Sequence, residues 1–395
     1  MLQFGRNFYN TISNIMSGTE QNKEPNANER QLPLSMQFYD SDRYQPSLED
    51  VLSVKNILFT LRPDSPLPLE LIDAILDLSE YWPHTTSNPG HQGITIHRPI
   101  IIRSGNQENQ LVLRSLPIGY LRDNSNDQSF QMRSEDQVNY TTKPPTPWPQ
   151  DREIPQDATE EVIKNWSESS QVRGEFPCKK IVFRIKSHDQ GWGGAREDKG
   201  SYRGSYTWFD VGLERTVATK NGPIPGGPQF HLSKSRSPAS GSTNEIVCGL
   251  QTISPDVQSN SEKSVRDNAT DLPNSLTFKH TLNPDQKHIQ KNRTATHASQ
   301  EYTIVWRFDD DIHPESPEAD ELEAQGRGRE TANGEFVRSL KIGDVVTIWA
   351  KARYAGWANT VEDVIGGFMP SVVVSLLAVR GYNRFKLIYR SKRST

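Results

Sequence analysis

The stretch that most constrains the fold is Cys178–Asp210, CKKIVFRIKSHDQGWGGAREDKGSYRGSYTWFD. Between Lys179 and Ser187, Ile181, Phe183 and Ile185 take one face and Lys180, Arg184 and Lys186 the other; Val182 is the exception on the polar face. Period-two alternation with β-branched and aromatic residues predicts a half-buried strand. The run stops at Ser187-His188-Asp189-Gln190-Gly191-Trp192-Gly193-Gly194, where the glycines permit positive φ and a sharp change of direction. Tyr202, Tyr206, Trp208 and Phe209 then mark a second strand over Ser205–Gly212. A strand, a glycine-rich loop and a returning strand commit this part of the chain to β-structure.

Further strands are expected at Ile94–Arg103, Gln110–Leu116, Glu245–Ile253, Glu301–Phe308 and Leu340–Tyr354, the last with a turn at Gly343-Asp344. Many separated strands with turn signals imply an antiparallel β-sandwich. Helices are expected near the N-terminus: a short one from the capping-box-like Ser47-Leu48-Glu49-Asp50, and a stronger one at 67–82 with Leu71, Ile72, Ile75, Leu76 and Trp82 as its stripe. Another is expected at Asp157–Trp166. Because only 33% of the chain is hydrophobic and the mean hydropathy is −0.72, one sizeable core is expected beside much loop or disorder.

The resulting division is a disordered tail at 1–45, a helical segment at 46–84, strands joining the β-domain at 85–121 and a Pro-rich linker or insertion at 122–157. The sandwich domain then spans 158–364, with disordered insertions near 254–275 and 309–335, and residues 365–395 form a C-terminal extension. Lys143–Pro149 (KPPTPWP) favours a polyproline spacer, Lys287–Ser299 a polar connector, and the acidic 309–330 a solvated loop, since it lacks an EF-hand pattern. Arg380–Arg393 is basic, either a nuclear signal or a disordered end.

Chemistry is sparse. Ser187, His188 and Asp189 are the residue types of a hydrolase triad, but adjacent extended residues point to opposite faces. Asp189 and Gln190 either bond sugar hydroxyls or a peptide, with Trp192 and Trp208 as stacking surfaces, or bond turn backbone while the tryptophans fill the core. Ala355-Gly356-Trp357-Ala358-Asn359 is a second loop carrying Gly-Trp. Cys178 and Cys248 make neither a disulfide framework nor a zinc site and are expected reduced and buried. No metal or cofactor is expected. The net charge of −4 gives no reason to expect nucleic acid or an anionic membrane, and no run reaches the length of a membrane span. The N-x-S/T sites at Asn139, Asn165, Asn268 and Asn292 are read as chance, with no signal peptide, which places the protein in the cytoplasm or nucleus.

Two resemblances add to this. Leu67-Pro68-Leu69-Glu70-Leu71-Ile72, running into Ile75-Leu76, resembles the opening of an F-box, which implies docking of 67–82 on the Skp1 subunit of a ubiquitin ligase if further helices follow. The alternative is a helix that simply packs on the next domain. Five segments together resemble a family of uncharacterised fungal proteins: 67–83, SHDQGWGG at 187–194, GSYTWFD at 204–210, IVWRFDD at 304–310 and GDVVTIWAKARYAGWAN at 343–359. That resemblance implies a jelly roll of the galactose-binding-like kind, with Asp189, Gln190, Trp192, Trp357 and Asn359 near one end as candidate ligand-binding residues. It implies no activity. Members continue after the Trp-Asn segment with an alternating strand, whereas Val364–Pro370 here breaks the alternation, so 365–395 is expected to be atypical. The expected function is a non-catalytic binding or adaptor protein; the alternatives are a carbohydrate- or glycoprotein-binding module and an F-box-type adaptor.

Overall fold

The computed structural model describes residues 46–62, 64–83, 85–87, 99–105, 107–119, 130–132, 157–170, 176–220, 229–234, 246–259 and 276–370. The tail at 1–45, the Pro-rich 143–149, most of the 254–275 insertion and the basic 380–393 lie outside them. In chain order the strands are β1 (Thr85–Ser87), β2 (Ile100–Arg103), β3 (Asn109–Arg114), β4 (Phe130–Met132), β5 (Cys178–His188), β6 (Thr207–Thr219) and β7 (Gln229–Lys234). They continue with β8 (Ile246–Ser254), β9 (Asp256–Ser259), β10 (Leu276–Lys279), β11 (Gln290–Lys291), β12 (Gln300–Arg307), β13 (Asp344–Ala352) and β14 (Ala358–Pro370). The helices are α1 (Leu48–Thr60), α2 (Leu69–Leu78), α3 (Thr159–Ser170), α4 (Pro317–Ala324) and α5 (Glu335–Ser339).

One sheet runs β1-β14-β5-β12, with β2 also paired to β14. The other runs β3-β13-β6-β8-β7-β4, with β11 on β6, and β9 and β10 pair apart from both. Every pairing is antiparallel. The expected strand-loop-strand unit is therefore split: β5 lies in one sheet and β6 in the other. The loop between them crosses the end of the sandwich.

The main core fills the space between the sheets. Ile181, Phe183 and Ile185 of β5 and Tyr302, Ile304 and Trp306 of β12 meet Phe209 of β6 and Val346, Ile348 and Ala350 of β13. Phe183 and Trp306 pack edge-to-face at 4.9 Å, a geometry aromatic quadrupoles favour. Cys178 and Cys248 are both free and buried, and burial pushes the Cys248 thiol up.

The outer face of β5 is also covered, which explains Val182. Trp82 packs on Val182 and Val305, and its Nε1 donates to Asp77 at 2.9 Å. Glu80 accepts from Lys180 Nζ at 2.5 Å and from Arg307. Two helices carry these groups. α1 starts with Ser47 and Asp50 in a reciprocal capping box, and Val51 and Leu58 meet Ile72 and Leu76 of α2. Lys55 of α1 is buried and ion-paired to Asp73 at 2.5 Å. After Trp82 the chain enters β1, so among the described residues no further helix follows the LPxELI segment before the sandwich begins.

Three segments are more ordered than the sequence implies. Residues 309–335 are not a disordered insertion but carry α4, whose N-cap Ser316 accepts from Ala319 N, and lead into α5. This segment covers the open edge of β12, where buried Arg327 donates to the Val305 carbonyl at 3.4 Å. Covering an edge strand removes a site of unwanted strand pairing. The polar 287–299 is no mere connector: it forms β11 and buries His288, Ile289, Asn292 and Thr294. Within the 254–275 insertion, Asp256–Ser259 is strand β9. The expected break at Val364–Pro370 does not occur. β14 runs through to Pro370 because both its edges are paired, with β5 on one side and β1 and β2 on the other. Pairing outweighs the weak strand preference of Gly366 and Gly367.

Candidate functional site

Two loops meet at one end of the sandwich, 189–206 between β5 and β6 and 353–357 between β13 and β14. Asp189 organises the first. Its Oδ1 accepts from Gly191 N at 2.8 Å and Thr296 N at 2.7 Å, and its Oδ2 from Ala295 N at 2.6 Å. The carboxyl is buried, and burial pushes its pKa up against the lowering effect of those amides. Ala295 sits in the left-handed region at φ 54°, a conformation the Asp189 bond helps hold.

Gln190 joins the two loops. Its Oε1 accepts from Ala358 N at 3.0 Å and its Nε2 donates to the Trp192 carbonyl at 2.5 Å. Asn359 lies deeper. Its Nδ2 donates to the Trp208 and Lys351 carbonyls, both at 3.2 Å, and its Oδ1 accepts from Asn292 Nδ2 at 2.9 Å. Asn292 also donates to Thr207 Oγ1 at 3.2 Å and accepts from Ser187 Oγ at 2.7 Å. This buried network ties β5 and β14 of one sheet to β6 and β13 of the other. Buried amides must be satisfied, and here every bond is made within the protein.

The candidate residues therefore separate. Asp189 and Asn359 are both 0% exposed and hold the end of the sandwich together from inside. Gln190 is a clamp between loops. Trp192 is 61% exposed, while Trp208, the other tryptophan of the stretch, is buried with its Nε1 on Asp210 Oδ1. Trp357 is half-buried. Ser187, His188 and Asp189 do not assemble: Ser187 Oγ turns to Asn292, and His188 Nδ1 faces the Asp189 carbonyl at 2.7 Å. The His188 ring stacks edge-to-face on His297 at 4.6 Å, and its Nε2 lies 3.9 Å from Glu362.

The surface these supports carry is aromatic. Tyr354, Ala355, Gly356 and Trp357 form a turn closed by Trp357 N donating to the Tyr354 carbonyl at 3.2 Å. Gly356 takes φ 92°, the value required at the third position of a type II turn. A Cβ at Gly356 would stand 2.7 Å from Trp192 Cη2, so the indole of one loop rests on the glycine of the other. Trp357 packs edge-to-face on Tyr206 at 5.2 Å, and Tyr206 on Tyr354 at 4.6 Å. Tyr354 is 52% exposed, adopts φ 65°, and donates its hydroxyl to Asn283 Oδ1 at 2.9 Å. The sequence singled out Trp192 and Trp357 as candidates and gave no such role to Tyr206, Tyr354 or Asn292, which the structure places beside them. Tyr354 precedes the Gly-Trp turn and could have been taken with it; Asn292 lies in a stretch without periodicity.

Among the described residues, no group of three His, Cys, Asp or Glu side chains could hold a metal ion, and no helix is long and apolar enough to cross a membrane. The chain matches no family model, no curated protein and no solved structure.

Proposed function

We propose that this protein is a non-catalytic binding protein whose ligand-contacting surface is the aromatic end of the sandwich. The observation that carries this reading is the exposed Trp192 indole seated on Gly356, with its loop fixed by the buried Asp189 and by Gln190. A large aromatic left in water costs solvation free energy, yet here the surrounding hydrogen bonds hold it in place rather than tuck it in. Rigid aromatics at low conformational cost are what binding surfaces use. The non-catalytic part of the reading is supported by the dispersal of Ser187, His188 and Asp189 into separate bonds.

A second reading, an adaptor acting through 67–82, is favoured by one observation. Leu71 and Leu78 of α2 and Ile57 and Leu61 of the preceding helical region are exposed apolar side chains. It is weakened by the anchoring of Trp82 and Glu80 on the sheet.

The two are separated by screening the full chain against arrays of glycans and of peptides beside two variants, Trp192→Ala/Tyr354→Ala and Leu71→Ser/Leu78→Ser. Hits lost in the first and kept in the second support the aromatic end. Hits lost only in the second transfer the function to the helices.

A further inference from the structure

We infer that residues 371–395 of this chain fold back onto the exposed face of α1 and α2. There their apolar side chains cover Ile57, Leu61, Leu71 and Leu78, and their basic side chains pair with Glu49, Asp64 and Glu70. β5 begins beside α2 and ends at the Asp189 loop, so this contact lies at the opposite end of the sandwich from Trp192. It is independent of what the aromatic end binds.

The first observation is the face itself. A helix on a protein surface turns its apolar stripe inward and its polar side outward. α1 and α2 depart from this. Val51, Leu58, Ile72 and Leu76 already fill the space between them, yet Ile57, Leu61 and Leu71 are exposed and Leu78 is 88% exposed. Ile57 and Leu61 are four residues apart and Leu71 and Leu78 seven, so each pair lies on one side of its helix. Among the described residues nine large hydrophobic side chains are exposed, and these are four of them. Single exposed leucines need no explanation, but a cluster marks a surface that something covers.

The face is also acidic. Between residues 46 and 83 there are seven Asp or Glu and two Lys or Arg. Asp73, Asp77 and Glu80 are engaged by Lys55, Lys179 and Lys180. Glu49, Asp64 and Glu70 are exposed and have no ion-pair partner among the described residues. The occupant therefore has to bring both apolar side chains and positive charge.

Residues 371–395 bring both. Arg380, Arg384, Lys386, Arg390, Lys392 and Arg393 are basic, and the stretch contains no Asp or Glu. Val372–Val374, Leu376, Leu377 and Val379 precede them, and Phe385, Leu387 and Ile388 lie among them. In a chain whose net charge is −4, this local positive charge has its complement on the acidic helices.

The fold delivers the segment to that place. Pro370, the last residue of β14, pairs with Cys178, and Met369 pairs with Lys180, whose Nζ bonds Glu80 just after α2. Phe368 pairs with Thr85, three residues beyond Trp82. The chain thus leaves the sheet where α2 joins it. The 10 residues of α2 span about 15 Å, and a segment the length of 371–395 reaches about 80 Å when extended. Tethering holds the segment near this face at a concentration on the order of millimolar, which favours it over a second copy or a separate partner. Any partner for α1 and α2 must then displace it, which makes the contact autoinhibitory.

The test is zero-length carbodiimide cross-linking of the full chain at low salt, read by mass spectrometry on an equal mixture of isotopically light and heavy protein. Cross-links from Lys386 or Lys392 to Glu49, Asp64 or Glu70 are expected within one isotope. Leu71→Ser/Leu78→Ser and Leu387→Ser/Ile388→Ser should each lower their yield at least about five-fold, since each removes two apolar contacts. The second variant alters only the segment, so its effect is not one of unfolding α2. It should also speed amide exchange in α1 and α2 about three-fold or more, with β5 and β13 unchanged. Absence of these cross-links overturns the docking. Cross-links that join light to heavy protein assign the face to a second copy and overturn the intramolecular contact. Cross-links unchanged by both leucine variants reflect charge attraction alone and overturn the apolar face. Retention of the full chain on phosphatidylserine vesicles, lost in Leu387→Ser/Ile388→Ser, overturns the proposal in favour of a lipid surface.

Discussion

Asn359→Leu tests whether the buried amide is a structural hub or a ligand group. The substitution keeps the branched heavy-atom skeleton, adds methyl bulk, and removes three hydrogen bonds, two donated to the Trp208 and Lys351 carbonyls and one accepted from Asn292. Asn292 Nδ2 keeps Thr207 as a partner but loses the other, in an environment where Asn359 and Asn292 are both 0% exposed. An abandoned buried donor costs about 1–3 kcal/mol, and each weakened carbonyl about 0.5–1.5 kcal/mol. Together these predict a loss of about 2–6 kcal/mol. For a folded region of this size that is a fall in melting midpoint of roughly 4–24 °C. Urea denaturation followed by fluorescence measures it directly, and the m-value should be unchanged. Asn359→Asp sharpens the case. It retains the acceptor for Asn292 but turns an oxygen on two carbonyls. That raises the new carboxyl's folded pKa, so the variant should lose further stability as pH rises through the carboxylate range. A loss under about 1 kcal/mol for Asn359→Leu, accompanied by loss of ligand binding, would refute the structural reading.

Gly356→Ala forces a side chain into φ 92° and against Trp192 Cη2, so it should cost at least about 1 kcal/mol and alter acrylamide quenching of Trp192; unchanged quenching would show that the loops do not touch. Trp82→Ala removes the contact with Val182 and Val305 and should weaken docking of α1 and α2 by about 3–5 kcal/mol, seen as faster amide exchange there with β5 and β12 still protected. Asp310 has its pKa pushed up to about 6 by burial, with Arg327 and Arg307 opposing. Its folded form thus holds a proton that the unfolded form has lost, so this group's contribution to stability falls as pH rises from about 4 to about 6. Asp310→Asn should flatten that segment of the stability profile, measured by denaturation at both pH values.

The alternation in β5 was legible because period two is a local property: Ile181, Phe183 and Ile185, grouped on one face by the sequence, lie together in the core. The glycines of SHDQGWGG were legible for the same reason: Gly191, Gly193 and Gly194 all take positive φ. The capping box at Ser47 and the helix around Ile72 and Leu76 were also written locally. Acidic 309–330 and polar 287–299 read as solvated because composition carries no information about what a segment covers. Arg327 and Asn292 acquire their environment only when β12's edge and the sheet junction are assembled.

By itself, then, the sequence determined which residues alternate, where the backbone must turn, and that the product is an antiparallel β-protein whose basic and acidic residues nearly balance, at a net charge of −4. Tertiary structure alone decided which side chains of the two Gly-Trp loops face water. Asp189 and Asn359 share the polarity of a binding site, but backbone amides and carbonyls from distant strands claim their bonds. Trp192, equally suited to a core, is left outside because the place beneath it is occupied by Gly356, which arrives from the other loop. Burial is set by contacts between segments far apart in the chain, and no local pattern encodes them.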